Sequence, residues 1–429
     1  MEEAEDNDLD YHLNDPKEIE QQILNNNRKK NIILGIAIFL IILFVVAIVI
    51  YVIKFIIGNK GGGNEDKKNG INESNFTSQF NISYGEDKIE NTFKLNCTNY
   101  KEELKEINGG KDYGRNPNRN KYDLFIPKNL NKTQYNKILL FIHGGAWVRG
   151  DKSDLNPLCK NFANNGYITA SMAHTFLNDT NNNSSIFRIL DEVASVIKNI
   201  KKNLKDKGFN ETKLELAIGG YSSGAHIALL YAYSYKNSPI KIKFVINILA
   251  PVTLESKYYY KIKNSNVTLD DIEEETLNKY IKENKVEPMN NSLALTKYMN
   301  LFLGNKENDN ITEMLKDPEK KEIDTDNQKY KDLLKRAKFG FPTYYVDINT
   351  VPTICLYTGK DITIGIKHYS YLKSMFEKKG NDKIELIYLK SLPHYIYLNT
   401  THPEFLDGIS QLSIKIFEYS NKYFTQNNI

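Results

Sequence analysis

One continuous segment, residues 214–230, constrains the fold of this chain more than any other. Apolar residues 214–218 predict a buried strand, and a helical pattern begins directly after Gly-Tyr-Ser-Ser-Gly at 220–224. This G-x-S-x-G motif lies between a strand and a helix, the context in which it holds a serine on a sharp turn. Glycines that lack Cβ atoms let the helix pack close to the strand. Ser222 is therefore a candidate nucleophile, with an ordinary Gly/Ser turn as the alternative.

The rest of the chain alternates between strand and helix patterns. Near-continuous apolar runs predict buried strands, and apolar residues at helical spacing predict amphipathic helices. The predicted strands cover residues 121–126, 137–142, 167–172, 214–218, 242–249, 352–358 and 384–389, and the predicted helices 155–165, 186–204, 223–235, 369–379 and 405–423. This alternation predicts an α/β fold, with a mostly parallel sheet covered by helices on both faces.

Residues 252–349 interrupt this alternation. They carry many charged, Asn and Tyr residues, with short helical patterns at 293–303 and 330–337. A long insertion inside a compact domain is usually functional, for example as a lid. We interpret it as a cap over the site; the alternative is a solvated excursion that never contacts substrate.

A serine nucleophile needs a base, and the base needs an orienting carboxylate. His394 follows the predicted strand at 384–389, and Asp361 follows the predicted strand at 352–358. Loops at the carboxyl ends of parallel strands lie at one edge of the sheet, where such sheets bind ligands. The sequence therefore predicts Ser222, Asp361 and His394 as a catalytic set. Taken alone, Asp361 could equally cap a turn, and Asp347 is the rival acid.

The other histidines lie at less favourable positions for a base. His402 lies beside a helix start, His368 falls inside a helical pattern, and His174 follows a strand that precedes the nucleophile. His226 lies on the helix after Gly224, where packing beneath the site is the expected role. His12 lies near the N-terminus, before an apolar segment at residues 32–51.

Attack on a carbonyl also creates an oxyanion, which needs backbone donors aimed at it. His143-Gly144-Gly145-Ala146-Trp147 follows the predicted strand at 137–142. Two glycines let backbone N–H groups turn towards a ligand, so we predict donors at Gly144 and Gly145, with Ser223 N–H as a further donor. The alternative is a tight Gly-Gly turn. Trp147 is predicted either to line the substrate pocket or simply to pack.

An apolar segment near the N-terminus predicts a membrane anchor. Residues 32–51 carry no charge and 55–57 extend the run, and about 20 apolar residues span a bilayer. Arg28-Lys29-Lys30 before it favour a cytosolic N-terminus. We therefore predict a disordered tail at 1–31, an anchor at 32–57, a flexible stalk at 58–88 and a catalytic domain at 89–429 with its cap at 252–349.

Asn-x-Ser/Thr sequons occur only after this segment, and more often than the composition would give by chance. They begin at Asn72, Asn75, Asn81, Asn96, Asn131, Asn178, Asn182, Asn183, Asn210, Asn266, Asn290, Asn310 and Asn399. Their excess predicts a glycosylated catalytic domain in the lumen or outside the cell. The alternative is accidental sequons in an Asn-rich chain.

Charge and cysteine content exclude some classes. The net charge of +4 is spread along the chain and gives no argument for a nucleic-acid partner. Three cysteines, Cys97, Cys159 and Cys355, are too few for a disulfide-dense scaffold. Cys355 is expected to be buried. Cys97 and Cys159 could pair in an oxidising compartment.

With these motifs in view, residues 120–425 resemble the α/β-hydrolase superfamily of serine esterases. The resemblance rests on His143-Gly144-Gly145-Ala146-Trp147 with Gly150-Asp151-Lys152, on Gly220–His226, on Gly359-Lys360-Asp361 and on Pro393-His394. It is closest to the hormone-sensitive-lipase-like, kynurenine formamidase and isoprenylcysteine methylesterase branches. It implies hydrolysis of carboxylic esters through an acyl-enzyme, without a metal or organic cofactor.

Some residues depart from the lipase-like pattern. Ala146 stands where that branch usually has a third glycine, and Ser223 replaces its frequent alanine, although both keep their backbone N–H groups. The Tyr-Arg-Leu-Ala-Pro stretch of that branch has no match around Ser171–His174. These departures favour the other two branches, but a methylesterase of prenylated proteins would need cytosolic access.

The sequence therefore predicts a membrane-anchored serine carboxylesterase that acts on a small-molecule or lipid ester. Two alternatives stay open. The first is an amidase of arylformamidase type on the same fold, which an amide-versus-ester panel would separate. The second is a catalytically inert hydrolase fold used for binding, which would lack a member of the catalytic set; none is missing here.

Overall fold

A sheet of eight strands, numbered β1 to β8 in chain order, forms the centre of the computed structural model. The structure describes residues 75–85, 88–90, 113–179, 181, 184–235, 237–262, 283, 286–288, 292–319, 322–361, 363–394 and 403–426. The strands are β1 Phe76–Ser83, β2 Lys121–Pro127, β3 Asn136–Ile142, β4 Ile168–Met172, β5 Leu214–Tyr221, β6 Lys241–Ile248, β7 Thr353–Thr358 and β8 Ile384–Leu389.

The spatial order of the strands is β1-β2-β4-β3-β5-β6-β7-β8. β2 is antiparallel to both of its neighbours, β1 and β4, and all the other pairs are parallel. The mostly parallel sheet predicted from the sequence is confirmed. In the register, Ile142 pairs with Gly220, and Thr358 pairs with Leu389. The carboxyl ends of β3, β5, β7 and β8 therefore lie at one edge of the sheet.

Within the described residues, seven α-helices accompany the sheet. They are α1 Asn156–Asn164, α2 Ile186–Asp206, α3 Ser223–Ser234, α4 Ser292–Phe302, α5 Gln328–Ala337, α6 Lys367–Lys378 and α7 Pro403–Tyr423. Short 3-10 helices cover Lys152–Leu155, Glu211–Lys213, Ser256–Tyr258, Thr312–Met314, Lys338–Gly340 and Pro342–Tyr345. Every residue of β4 and β5 is buried, which requires cover on both faces of the sheet.

The strand–helix unit β5–α3 lies at the centre of the core. All eight residues of β5 are buried, and α3 is buried at every position except Ala232. A helix that is apolar around its whole circumference belongs in the interior of a protein. The core thus fixes the turn between β5 and α3 from both sides.

One boundary predicted from the sequence is wrong. Residues 58–88 were expected to form a flexible stalk, but β1 lies within them and pairs with β2, with Phe76 opposite Pro127. The Phe76 ring is buried edge-on against Phe125, with their centroids 5.9 Å apart. A strand with one fully buried side chain has a weak local pattern, because a strand distant in sequence supplies its hydrogen bonds, from Ser83 opposite Lys121 to Phe76 opposite Pro127.

The insertion predicted as a cap lies between β6 and β7. Its described part contains a ladder of Tyr260–Ile262 with Val286–Pro288, then α4, a ladder of Leu315–Asp317 with Glu322–Ile323, and α5. The helices predicted at 293–303 and 330–337 correspond to α4 and α5. A further short ladder pairs Lys88–Ile89 with Tyr113–Gly114.

The predicted tail and membrane anchor, residues 1–57, lie outside the described residues. Among the helices that the structure does describe, none combines the length and apolar character needed to cross a bilayer. Cys159 and Cys355 are buried free thiols, and Cys97 also lies outside the described part of the chain.

Candidate active site

Ser222 occupies the turn between β5 and α3 in a rare backbone conformation. Its φ is 52° and its ψ is −121°. A positive φ lies in the half of the Ramachandran plot that residues with side chains rarely occupy. Such a conformation costs about 1–3 kcal/mol and persists only when the surrounding structure enforces it. Ser222 N donates to Ile248 O at 2.8 Å, and Ser222 O accepts from His226 N at 3.0 Å. These bonds fix the serine at the start of α3.

The two glycines of the motif bring the turn directly onto β3. A Cβ atom on Gly224 would lie 2.1 Å from the carbonyl oxygen of Ile142, and one on Gly220 would lie 2.6 Å from the same oxygen. These are backbone contacts that cannot move aside. The sequence needs glycine at both positions because α3 starts in contact with the end of β3.

The structure brings Ser222, His394 and Asp361 together in one hydrogen-bonded chain. His394 Nε2 lies 3.0 Å from Ser222 Oγ, and His394 Nδ1 lies 2.6 Å from Asp361 Oδ2. The three residues are 8%, 4% and 5% exposed. An ionised carboxylate only accepts hydrogen bonds, so Nδ1 carries the proton and Nε2 is the acceptor that faces the serine hydroxyl.

Backbone contacts hold the acid and the base in place. Asp361 Oδ1 accepts from Thr363 N and Ile364 N, each at 2.7 Å. The loops that carry Asp361 and His394 are joined by Gly359 N donating to Leu389 O at 3.0 Å. The Tyr221 hydroxyl donates to the carbonyl oxygen of His394. Tyr221, which precedes Ser222, therefore also holds the loop that carries His394 in place.

The rival residues lie elsewhere or are engaged in other contacts. Asp347 Oδ1 accepts from Asn349 N at 2.8 Å and from Thr350 Oγ1 at 3.3 Å, an ordinary turn contact. His368 Nδ1 accepts from Val252 N at 3.1 Å, and burial lowers the pKa of His368 to about 3. His402 lies outside the described residues. Of the candidate bases and acids among the described residues, only His394 and Asp361 are joined to Ser222 by hydrogen bonds.

The loop after β3 has three consecutive residues with positive φ. Gly145 has a φ of 118°, Ala146 of 52° and Trp147 of 62°. Gly145 O accepts from both Val148 N and Arg149 N at 3.1 Å. Gly144 lies against the residue before the nucleophile, since a Cβ there would be 2.7 Å from the ring of Tyr221. The loop predicted to supply oxyanion donors is thus held next to the serine, and its donor role stays a prediction.

Trp147 is buried rather than open, with 4% of its surface exposed. Its indole N–H donates to His226 Nδ1 at 3.2 Å, and its ring packs edge-on against Phe302 of α4 at 4.9 Å between centroids. His226 Nε2 lies 2.8 Å from Gly340 O. Burial lowers the pKa of His226 to about 3, so the ring is neutral and donates from Nε2 to that carbonyl. Packing is the role that these contacts assign to Trp147; contact with substrate stays a prediction.

Two residues near the loop after β3 make contacts that the sequence does not predict. Arg119 lies before β2 and contacts the loop after β3 through its guanidinium. His226 was expected only to pack, yet it joins Trp147 to the insertion. Neither has a local signal, because each contact depends on how distant segments meet. In the described part of the chain, no group of His, Cys, Asp and Glu is arranged to hold a metal ion.

The class of protein follows from the fold and the site together. The sheet has eight strands in this order, with a serine after β5, an aspartate after β7 and a histidine after β8. The protein is an α/β-hydrolase of the serine-esterase type, as the sequence motifs indicated. The chain belongs to the BD-FAE family, whose model matches residues 122–376. The match includes Ser222 and Asp361 and ends before His394. No curated protein matches the sequence.

Three solved structures with a similar fold are distant from this chain in sequence. A truncated form of a carbohydrate esterase from gut microbiota is 14% identical, with 81% of this chain and 98% of that chain covered and a TM-score of 0.50. Esterase B from Lactobacillus rhamnosis, inhibited by C6-C4 SN3, is 12% identical, with 81% of this chain and 88% of that chain covered and a TM-score of 0.49. Esterase 2 from Thermogutta terrifontis with bound butyrate is 14% identical, with 72% of this chain and 92% of that chain covered and a TM-score of 0.46. At these identities the likeness extends to the fold alone.

Proposed function

We propose that this protein is a carboxylesterase that uses Ser222 as its nucleophile and forms an acyl-enzyme. The observation that carries the proposal is the buried chain from Ser222 Oγ through His394 to Asp361. His394 takes the proton of the Ser222 hydroxyl as the hydroxyl oxygen attacks the ester carbonyl carbon. Asp361 holds the imidazole in the required tautomer and stabilises the imidazolium.

Attack places a negative charge on the former carbonyl oxygen. Backbone N–H groups of Gly144, Gly145 and Ser223 are the proposed donors to this oxyanion. Collapse of the tetrahedral intermediate expels the alcohol, which takes its proton from His394, and leaves the acyl group on Ser222. Water, deprotonated by His394, then attacks the acyl-enzyme, and the acid is released as the serine regains its proton.

Hydrolysis of short p-nitrophenyl esters by the full chain tests the role of Ser222. Ser222→Ala removes the attacking oxygen and should lower kcat by about 10⁴-fold or more, because a catalytic set acts as a unit. Ser195→Ala, on α2 away from the site, serves as the matched control and should keep its activity. Hydrolysis that survives in Ser222→Ala would contradict the proposal.

The proposed substrate is a small-molecule or lipid ester. A panel of matched aryl esters and aryl formamides separates an esterase from an amidase on the same site. We expect kcat/KM to favour the esters. Faster cleavage of the formamides would assign the protein to the amidase alternative with the same nucleophile.

We also propose that the hydrolase domain lies in the lumen or outside the cell, behind an N-terminal anchor with a cytosolic tail. The apolar run at 32–51 and the sequons after it support this topology. The exposure of the asparagines adds support. Every described asparagine that begins a sequon is exposed, namely Asn75, Asn81, Asn131, Asn178, Asn210 and Asn310.

Asparagines outside sequons include both exposed and buried residues. Those that are buried in the described part of the chain, Asn116, Asn120, Asn136, Asn247, Asn300 and Asn381, all lie outside sequons. A glycan can be carried only at the surface, so this distribution supports glycosylation over accidental sequons.

Glycosidase digestion of the protein isolated from its own cells tests this topology. Removal of N-linked glycans is expected to lower the apparent mass on a gel, so that the band migrates faster. Glycan-bearing peptides that contain the exposed sequons are expected as well. Protease treatment of intact vesicles should leave the hydrolase domain protected and shorten only the N-terminal tail. Absence of glycans combined with digestion of the domain would place the domain in the cytosol.

A further inference from the structure

Arg119 makes several contacts with the loop after β3, although it lies more than 20 residues before it. Its Nη2 donates to Gly150 O at 2.9 Å and lies 3.1 Å from His143 Nε2. Its Nη1 donates to Asp151 Oδ2 at 3.3 Å. Its Nε donates to His174 O at 3.1 Å, and its guanidinium lies 4.1 Å from the centre of the Phe176 ring. One side chain thus joins the two ends of the loop.

His143 has only one protonation state that satisfies both of its ring contacts. Its Nδ1 lies 2.7 Å from Gly144 O, and a carbonyl oxygen can only accept, so Nδ1 carries the proton. Its Nε2 faces the guanidinium of Arg119, which can only donate. Burial, the stacked His174 ring and Arg119 hold the pKa of His143 well below its usual range. The ring is therefore neutral, in the tautomer that Arg119 selects.

The contact with Gly144 O sets the direction of a neighbouring N–H group. The C=O of Gly144 and the N–H of Gly145 belong to the same planar trans peptide and point in opposite directions. Holding the carbonyl against His143 therefore aims the Gly145 N–H away from His143. Gly145 is one of the proposed oxyanion donors, so the imidazole determines where that donor points.

Gly150 provides the space for this contact. Its φ is 100°, and a Cβ atom there would lie 2.2 Å from Gly144 O and 2.6 Å from His143 Nδ1. Only glycine leaves room for the bond between His143 and Gly144. Arg119 binds the carbonyl of this same glycine. The Gly-Asp segment at 150–151 thus completes the enclosure of His143.

We propose that Arg119 is a positioning residue of the ester hydrolysis, because it holds His143 in the tautomer that orients the Gly144–Gly145 peptide towards the oxyanion. The inference rests on the proposed function. Arg119 acts through His143 and the peptide rather than on substrate. Its loss should weaken stabilisation of the transition state, where the oxyanion is charged, more than binding of the neutral ester.

The test compares Arg119→Ala and Arg119→Lys in the full chain with a short p-nitrophenyl ester. A missing oxyanion donor costs about 10²–10³-fold in kcat; a misaligned donor should cost about 10- to 100-fold, with KM changed by less than about 3-fold. Added guanidinium ion should restore part of the kcat of Arg119→Ala, because it can occupy the vacated position. Arg119→Lys should keep the fold but lose kcat, since one ammonium cannot reach His143, Gly150 and Asp151 together.

Lys152→Gln provides the matched control. It removes a buried cation paired with Asp123 at 3.2 Å, next to Asp151 but without contact to His143. This variant should unfold at a lower temperature and keep its kcat. Unchanged kcat in Arg119→Lys, or equal losses of kcat in Lys152→Gln and Arg119→Ala without rescue by guanidinium, would overturn the inference. If the wild-type protein itself hydrolyses no ester, the proposed function fails instead.

Discussion

At the scale of single residues, the site depends on residues that are held in backbone conformations rarely adopted by residues with side chains. Ser222, Ala146 and Trp147 all have positive φ although they carry side chains. Each conformation is costly and must be enforced by neighbouring structure. The surrounding glycines permit close contact. Backbone hydrogen bonds hold the turns: Ser222 N donates to Ile248 O, His226 N donates to Ser222 O, and Leu177 N donates to Trp147 O. The reactive geometry is thus prepared before substrate arrives.

Gly224→Ala tests this packing directly. The added methyl group would lie 2.1 Å from the Ile142 carbonyl oxygen, so α3 must move away from β3. We expect a loss of stability of about 2–4 kcal/mol and loss of esterase activity, measured by urea denaturation and initial rates. Gly114→Ala is the matched control, because nothing lies within 4 Å of its Cβ position. Equal stability of the two variants would contradict the packing argument.

Asp361→Asn tests the orientation of the base. The Asn side chain is nearly isosteric but can present an N–H to His394 Nδ1, which favours the wrong tautomer. We expect kcat to fall by about 10³–10⁴-fold while KM stays within a few fold. Asp347→Asn, at the rival acid, should leave kcat close to that of the wild type. A large loss at Asp347 with little at Asp361 would transfer the role to the rival.

At the scale of elements, His226 couples three parts of the structure. It lies on α3, accepts from Trp147 in the loop after β3 and donates to Gly340 in the insertion. Phe302 of α4 packs against both aromatic rings. The insertion is thus joined to the loop after β3 through one neutral histidine. Whether residues 252–349 act as a cap over the site stays a prediction.

Trp147→Phe tests the coupling. It removes the indole N–H and leaves His226 Nδ1 buried without its donor, which should cost about 1–3 kcal/mol in the free energy of unfolding. Chemical denaturation gives the value. In a His226→Phe background the same change should cost markedly less, because no acceptor remains unpaired. Identical costs in both backgrounds would show that Trp147 contributes only by packing.

At the scale of the whole molecule, buried neutral histidines make stability depend on pH. Burial lowers the pKa of His226 and His368 to about 3 and of His174 to about 4, and holds that of His143 well below its usual range. Unfolded histidine titrates near pH 6.5. Between about pH 6.5 and pH 4 the unfolded chain therefore binds more protons than the folded protein, and acidification favours unfolding.

The expected loss is up to about 1.4 kcal/mol per pH unit for each of these histidines. Urea denaturation at about pH 7, 6 and 5 measures it. His368→Gln should reduce the slope between about pH 6 and 5 by roughly a quarter, because one of four such groups is removed. A free energy of unfolding that stays constant from about pH 7 to 5 would contradict the buried, neutral state of these rings.

Local sequence patterns predicted most of the sheet and the site. The apolar runs before Ser222, Asp361 and His394 are long enough to identify buried strands, and parallel strands bring their following loops to one edge. The order Ser, Asp, His could thus be read along the chain. The boundaries agree within a few residues, as for the strand at 384–389, which is Ile384–Leu389 in the structure.

Features that depend on long-range pairing could not be predicted. β1 has one fully buried residue and gains its hydrogen bonds from β2, so its pattern resembled a polar linker. Arg119 and His226 act through residues far away in sequence, and an isolated Arg or His carries no signal of its partner. Periodicity reports which face of an element is buried, and it leaves the partner on that face unspecified.

Intact-protein mass spectrometry after reaction with a fluorophosphonate tests the central claim most directly. An activated serine displaces fluoride and retains one phosphonyl group, whereas an ordinary serine hydroxyl does not react. We predict a single adduct on the full chain, located by peptide mapping on Ser222, and no adduct on the Ser222→Ala or His394→Ala variants. An unmodified wild-type protein, or an adduct on another residue, would contradict the assignment of Ser222, His394 and Asp361 as the catalytic set.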